Sequence, residues 1–260
     1  MPLRSVTLDE LIIDDEASFA GVALYARLKK MLRHSGHRFH VPTNGTALSW
    51  DRALFLNLTF WNAGESADVL CEARIPADVL THVAWHHLAA REIARRAPGP
   101  TCPQALLFGE AIASAFDLYL VGRLLPNVPD SDFVATQVAI MSEAAEQAGR
   151  GAAAFETLLH GVVGDPERAF EDLRALLFDA SQALLGCRDV RHAEATLAGY
   201  GNHRFEALLH HYQLSTWILS ARAATVDAPA QSRVVLDLDA TLRSAPASLD
   251  WLADAWLRDA

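Results

Sequence analysis

The stretch "PQALLFGEAIASAFDLYLVG", residues 103 to 122, is the most informative segment of this sequence. It has a helical composition and is apolar nearly all round, which is typical of a helix buried in a protein core. Its only charged residues are Glu110 and Asp117, which lie two helical turns apart and therefore share one face with Ser114 between them. A buried carboxylate is unfavourable unless it is paired, protonated or bound to a metal ion. The stretch therefore predicts a core helix over residues 103–125 with a specific partner for its carboxylates.

The preceding stretch, "ADVLTHVAWHHLAAR" at residues 77–91, offers such partners. Pro76 and Asp78 favour the start of a helix, and "APGP" after residue 96 favours its end. His82 and His86 are four positions apart and share one face of this helix, whereas His87 points elsewhere.

Two histidines at this spacing, together with a carboxylate, match the ligands of a protein metal site. We therefore predict that His82, His86 and Glu110 bind one divalent metal ion, Zn²⁺ or Fe²⁺. Asp117 is expected to accept the second N–H of a histidine and so orient its ring. The alternative is an ordinary core, in which the histidines bond to the backbone and Glu110 pairs with an arginine. The candidates for that arginine are Arg91, Arg95 and Arg123.

The two segments "HVAWH" (82–86) and "FGEAIAS" (108–114) resemble the gluzincin branch of the zincin metallopeptidases. That family carries H-E-x-x-H on one helix and a third ligand, a glutamate, on a following helix. The resemblance implies that His82, His86 and Glu110 are the ligands, and that a strand predicted at 54–61 precedes the active-site helix. The sequence departs from the family at Val83, where the family has its catalytic glutamate. An ordinary peptidase activity is therefore not expected, because valine cannot accept a proton.

The ligand set also suits another class of enzyme. Two histidines and one carboxylate leave open positions on a metal ion, as in non-haem iron oxygenases. A metal-dependent hydrolase-like enzyme and an iron oxidoreductase therefore both remain open. The further alternative is a non-catalytic helical interaction protein, in which the histidines and carboxylates form a buried hydrogen-bonded network. The expected substrate is a small molecule or a peptide.

A second histidine cluster lies in "GNHRFEALLHHYQ", residues 201–213. If residues 203–224 form one helix, then His203, Glu206 and His210 share a face. Glu206 and His210 are the predicted catalytic residues, which would replace the missing base. A group from this cluster could alternatively be a fourth ligand or half of a dinuclear site, as in carboxylate-bridged helical bundles.

The helical periodicity of the whole chain predicts a mainly α fold with at most a small sheet, and an α+β fold is the alternative. Further helices are expected at 15–33, 131–148, 151–162, 166–186, 190–199 and 248–260, and a second strand at 232–242. The loop-like stretch "HSGHRFH" (34–40) predicts a surface loop or, alternatively, a lid. We expect one domain over 1–260; the alternative is a metal-binding half, 1–125, and a helical half, 126–260.

Composition narrows the expected partners. The net charge is −10 and the pI is about 5.5, which makes nucleic acid an unfavourable partner. The three cysteines form no metal-binding or disulfide pattern. The acidic N-terminal stretch is unlike a signal peptide, and no apolar run is expected to span a membrane. These features predict a cytoplasmic protein, with a homo-oligomer compatible with the sequence.

Overall fold

A computed structural model of the chain describes residues 3–43, 68–224 and 231–258. Helices dominate these residues, so the prediction of a mainly α fold is confirmed. The α-helices are α1 (Ala23–His34), α2 (Ala77–Arg96), α3 (Pro103–Leu124), α4 (Asp132–Gln147), α5 (Ala152–Gly164), α6 (Pro166–Leu185), α7 (Val190–Ala198), α8 (Leu214–Ala224), α9 (Arg233–Ser244) and α10 (Ser248–Trp256). The predicted strand at 54–61 lies outside the described residues.

The strands are short and lie before α2 in the chain. They are β1 (Leu3–Thr7), β2 (Ile12–Asp14), β3 (Arg38–Pro42), β4 (Asp68–Val69) and β5 (Arg74–Pro76). β1 pairs antiparallel with β3, with Leu3 opposite Pro42, and β3 pairs in parallel with β4. β2 pairs in parallel with β5, which leads directly into α2. The two-stranded sheet of β2 and β5 therefore anchors the start of α2, the helix that carries His82 and His86.

Helix α3 lies at the centre of the molecule, as its apolar sequence predicts. It packs most extensively against α6 and next against α2. Where it crosses α5, a Cβ atom on Gly122 would lie only 2.7 Å from the carbonyl oxygen of Val162, so glycine permits the close approach of the two helices. The apolar core is continuous from α2 and α3 into α6, across residue 125.

Helix α3 is also long and apolar enough to cross a membrane by length and composition, contrary to the expectation from the sequence. Within its most apolar window, 89% of the residues are buried inside the protein. A core helix surrounded by other helices passes the same test, because both environments select apolar side chains on every face.

The predicted helix over 203–224 is wrong in its first half. Residues 203–213 form turns and one 3₁₀ helix, Glu206–Leu208, and the α-helix begins only at Leu214. Backbone bonds between residues three apart hold this segment, as in the bond from the Leu209 N–H to the Glu206 carbonyl (3.0 Å). Gln213 then adopts a left-handed conformation with a φ of 47°, which separates the turns from α8.

The predicted strand at 232–242 is also wrong, because these residues form α9. Val235, Leu238 and Leu242 are spaced by three and four residues and are all buried, which is helical periodicity. The alternation of Asp237 and Asp239 with apolar neighbours resembled a strand. Asp239 instead bonds to the buried Arg174 of α6 (2.8 Å).

Candidate metal centre

Helices α2 and α3 bring the three predicted ligands together. The Nε2 atom of His82 lies 3.6 Å from Oε1 of Glu110, and the Nε2 atom of His86 lies 2.9 Å from Oε2 of the same carboxylate. One ligand atom from each residue lies within 4.8 Å of the other two. Ligands about 2.0–2.1 Å from a tetrahedral ion lie about 3.3 Å from one another. The prediction that these side chains converge is therefore confirmed, and the group could hold a metal ion.

The register of α2 against α3 comes from the packing beside this group. Trp85 is buried on α2 and meets Phe116 of α3 edge-on, with 5.4 Å between ring centroids. Aromatic rings that interlock in this way restrict sliding of the two helices. His82 and His86 flank Trp85 in the sequence and are thereby held opposite Glu110.

The three side chains of the centre are mostly buried, but the exposed fraction differs between them. The side chains of His82 and Glu110 are 11% and 7% exposed, whereas that of His86 is 20% exposed. A substrate or a water molecule would therefore reach a metal ion from the side of His86.

Asp117 orients His82, as the sequence predicted. Its Oδ2 atom accepts a hydrogen bond from Nδ1 of His82 at 2.9 Å. When the ring is neutral with its proton at Nδ1, Nε2 is the atom that could bind an ion, and it lies 3.6 Å from Oε1 of Glu110. A carboxylate behind a histidine is the usual support for a metal ligand.

The arginines that could have paired with Glu110 have other partners. Arg91 and Arg95 both contact Glu92, at 3.5 Å and 3.0 Å. Arg123 lies over the ring of Tyr119. The other contact of Glu110 is with the Ser114 hydroxyl, at 3.5 Å. The ordinary-core alternative with an arginine partner for Glu110 is thus not what the structure shows.

The electrostatics of the centre favour the charged forms of its groups. Burial lowers the pKa of His82, but the charge and hydrogen bond of Asp117 and the proximity of Glu110 outweigh it and raise the pKa to about 10. Burial raises the pKa of Glu110, but the charge of His86 and the contact with His82 outweigh it and lower the pKa. Near neutral pH Glu110 is thus an anion, the form that binds a cation, and His82 is a cation. A metal ion would have to displace the proton from Nε2 of His82, because only the neutral ring binds a metal.

The two predicted catalytic residues are placed outside this group. Glu206 forms an ion pair with Arg150 (2.7 Å). His210 is exposed and lines a cavity between α6, α7 and α8. Glu206 and His210 would share a face only if residues 203–213 formed an α-helix, and this segment does not form one.

Sequence reasoning missed three residues near the centre. Asp78 lies one turn before His82, and its pKa is raised to about 6 by burial and by the charge of Asp117. The spacing of 78, 82 and 86 by four was a visible signal for it. Burial lowers the pKa of His211 and raises that of Tyr212, and the charge of Asp117 acts on both pKa values. No periodic signal could indicate them, because they belong to an irregular segment.

His87 points away from the metal centre, as expected, and packs beside His37. Their ring centroids are 5.5 Å apart, and His37 bonds through Nε2 to Asp68 at 2.8 Å. Burial and the charges of His37 and Arg91 lower the pKa of His87 to about 4. The prediction of a surface loop or lid at 34–40 is therefore wrong, because the stretch runs from the end of α1 through a short turn into β3. Its central histidine, His37, has a structural role.

Comparisons with models of protein families, with curated proteins and with solved structures find no match. The resemblance to gluzincins accordingly depends on the residues of this chain alone.

Proposed function

We propose that this protein is a metal-dependent enzyme of zincin-like type with one divalent ion, Zn²⁺, or Fe²⁺ as the alternative, held by His82, His86 and Glu110. The observation that carries the proposal is the convergence of the two Nε2 atoms on one buried carboxylate. The hydrogen bond from His82 to Asp117 supports it, because a ligand needs a defined orientation.

A bound ion would supply a Lewis acid with open coordination positions. The protein supplies the remaining chemistry. Asp117 holds the ring of His82, and Glu110 offsets part of the positive charge. Buried apolar neighbours around the helix pair shield most of the group from water, and His86 and Asp117 are its more exposed side chains.

The proton acceptor must differ from that of an ordinary zincin, because Val83 is buried and has no acid–base group. Asp78 is the better candidate than Glu206 or His210. It lies one turn before His82, and its raised pKa of about 6 is close to the value that favours general base catalysis near neutral pH. We infer that Asp78 takes a proton from the nucleophile or the substrate.

The charge of the surroundings indicates the substrate class. Asp78, Glu110 and Asp117 are all acidic, and no Lys or Arg in the described part of the chain is among the main causes of the pKa shifts of Asp78, His82 or Glu110. The net charge of the chain is −10. A small molecule or peptide that is neutral or cationic at its reacting group therefore fits better than a phosphate ester.

Elemental analysis of protein purified without a histidine tag tests the metal site. We expect about one equivalent of a single metal, and a loss of most of it in His82→Ala, because two ligands hold an ion far less tightly than three. The exposed His192→Ala is the matched control and should retain the metal. Less than half an equivalent, unchanged in His82→Ala, would overturn the proposal. Two equivalents of iron would instead favour a dinuclear site.

Turnover of chromogenic esters and amides tests the catalytic part. We expect activity that chelator removes and metal restores, and that falls at least a hundredfold, on the order of a lost general base, in Asp78→Asn with the metal content unchanged. Stoichiometric metal without turnover of either substrate class would favour the iron oxidoreductase or the non-catalytic alternative. Loss of turnover in Glu206→Gln but not in Asp78→Asn would show that the base is Glu206.

A further inference from the structure

A cavity apart from the candidate metal centre lies beside residues 209–214. It has a volume of about 640 Å³ and lies between the end of α6, the start of α7 and the first turns of α8. This volume is in the range of sites that hold small organic ligands. We call it the α6–α8 cavity.

The walls of the α6–α8 cavity are mainly apolar. The apolar side chains in contact with it are Leu184, Val190, Leu197, Leu214, Ile218 and Leu219. Val190 is 73% exposed and Leu219 is 66% exposed, although both are large apolar residues. Exposed apolar side chains beside a concave apolar surface indicate a surface that binds something apolar.

The rim of the cavity is cationic. Arg188 lines it, and among the described residues no ion pair involves this guanidinium. Arg222 adds a second positive charge while it donates to the carbonyls of Leu185 (2.7 Å) and Cys187 (3.1 Å). Among the described residues, one carboxylate lines the cavity, that of Asp189, and it accepts from the His192 N–H at the start of α7. An excess of positive charge is notable on a chain with a net charge of −10.

The start of α8 reinforces this charge. Leu214, Ser215 and Thr216 form the first turn of the helix, and all three line the cavity. The N-terminal end of a helix carries a partial positive charge and unpaired N–H groups. The first turn of α8 therefore adds partial positive charge to the wall of the cavity, together with the two arginines.

We propose that the α6–α8 cavity binds an amphipathic monocarboxylate, with an unbranched alkyl chain against the apolar wall and its carboxylate beside Arg188. A chain of roughly ten to twelve carbons suits a cavity in the few-hundred-Å³ class. Arg188 is the specificity-determining residue, because a guanidinium pairs with a carboxylate through two hydrogen bonds. The proposal is independent of the metal centre, since no ligand residue lines the cavity.

Isothermal titration calorimetry with octanoate, decanoate and dodecanoate, below their micellar concentrations, tests the proposal. We expect one site per chain, with an affinity that rises about two- to fourfold for each added methylene. Dodecanol and dodecyltrimethylammonium should bind more weakly than dodecanoate. The same binding is expected in His82→Ala, which separates this result from the fate of the proposed metal centre.

Two substitutions locate the site. Arg188→Gln should weaken dodecanoate binding about fivefold and leave dodecanol unaffected, since a partly exposed ion pair has an effect of this order. Leu219→Ser should weaken both ligands. The matched controls are Arg191→Gln and Leu236→Ser, because both residues are exposed and neither lines the cavity.

Three outcomes would overturn the proposal. The first is the absence of saturable binding. The second is equal binding of dodecanoate and dodecanol, which would leave no role for Arg188. The third is a concentration-dependent dimer that Leu219→Ser dissociates, without any carboxylate binding, which would show that a second copy of the chain covers this face.

Discussion

At the scale of single residues, the proposed metal centre depends on a carboxylate that need not touch the metal. The bond from His82 to Asp117 keeps a proton at Nδ1, so that Nε2 is the atom that would bind the ion once its own proton is displaced. We expect Asp117→Asn to lower the affinity for Zn²⁺ about tenfold to a hundredfold, because the amide keeps the shape but loses the charge that raises ligand basicity. Competition with a chromophoric chelator measures it. The exposed Asp250→Asn is the control, and a change below about threefold in Asp117→Asn, within the context dependence of such effects, would contradict the role.

His87 makes a residue-scale prediction about pH. Its pKa is about 4 in the folded protein, whereas the ordinary value of a histidine is 6.5, because burial disfavours the charged ring. The unfolded chain therefore binds a proton between these values while the folded chain does not, so folding stability falls as the pH falls from 6.5 towards 4. Between pH 7 and pH 5 this contribution is about 1–2 kcal/mol, after allowance for partial exposure.

His87→Gln should remove that part of the pH dependence. Urea unfolding at pH 7 and at pH 5 measures it in both proteins, and the quantity of interest is the difference between the two pH values. Asp78 and Glu110 are present in both proteins, so their contributions to the pH dependence of stability cancel in the comparison. Equal pH dependence in the variant and the wild type would show that the ring is already charged or exposed when folded.

At the scale of elements, the crossing of α3 and α5 depends on one glycine. Ala is normally about 1 kcal/mol better than Gly inside a helix, but a Cβ on Gly122 would meet the Val162 carbonyl oxygen at 2.7 Å. We therefore expect Gly122→Ala to destabilise the protein by about 1–3 kcal/mol. Gly164→Ala is the control, because its Cβ would meet nothing within 4 Å. Chemical denaturation distinguishes them, and a stabilising Gly122→Ala would refute the close packing.

The attachment of α9 to α6 is the second feature at this scale. Arg174 is fully buried and bonds to Asp239 of α9 (2.8 Å) and to Glu171 (2.6 Å). Arg174→Ala should destabilise the fold by about 3–5 kcal/mol, because it removes the buried partner of Glu171 and the buried one of the two arginines that bond to Asp239. Arg243 contacts the same Asp239 (2.9 Å) but is 37% exposed, so Arg243→Ala should change stability by about 0–1 kcal/mol. Similar effects in urea unfolding would contradict this difference between buried and exposed ion pairs.

At the scale of the whole molecule, a metal ion at the α2–α3 pair would stabilise the entire fold, because α3 is its central helix. At a free metal concentration a hundred times the dissociation constant, the gain is about 2.7 kcal/mol. For a chain of this size we expect the chelator to lower the melting temperature by about 5–10 °C. Calorimetry with and without chelator measures it. In His82→Ala the chelator should have no effect, and an equal shift there would place the stabilising ion elsewhere.

The local rules of helix geometry were sufficient for much of this architecture. The four-residue spacing of His82 and His86 placed them on one face, and the apolar surroundings of Glu110 predicted its burial. They failed where local signals conflict with contacts distant in sequence. The apolar alternation at 232–242 is compatible with a strand until the contact of Asp239 with Arg174 is known, and a left-handed Gln213 has no reliable sequence signature.

Periodicity is a property of one segment, so the amino-acid order alone was enough to show which side chains share a helix face and which helix must be buried. The register between helices depends on side chains far apart in the chain. The fit of Trp85 against Phe116 sets Glu110 opposite the two histidines rather than opposite an arginine. Such matches depend on the volume and shape of many side chains at once, which no spacing rule contains.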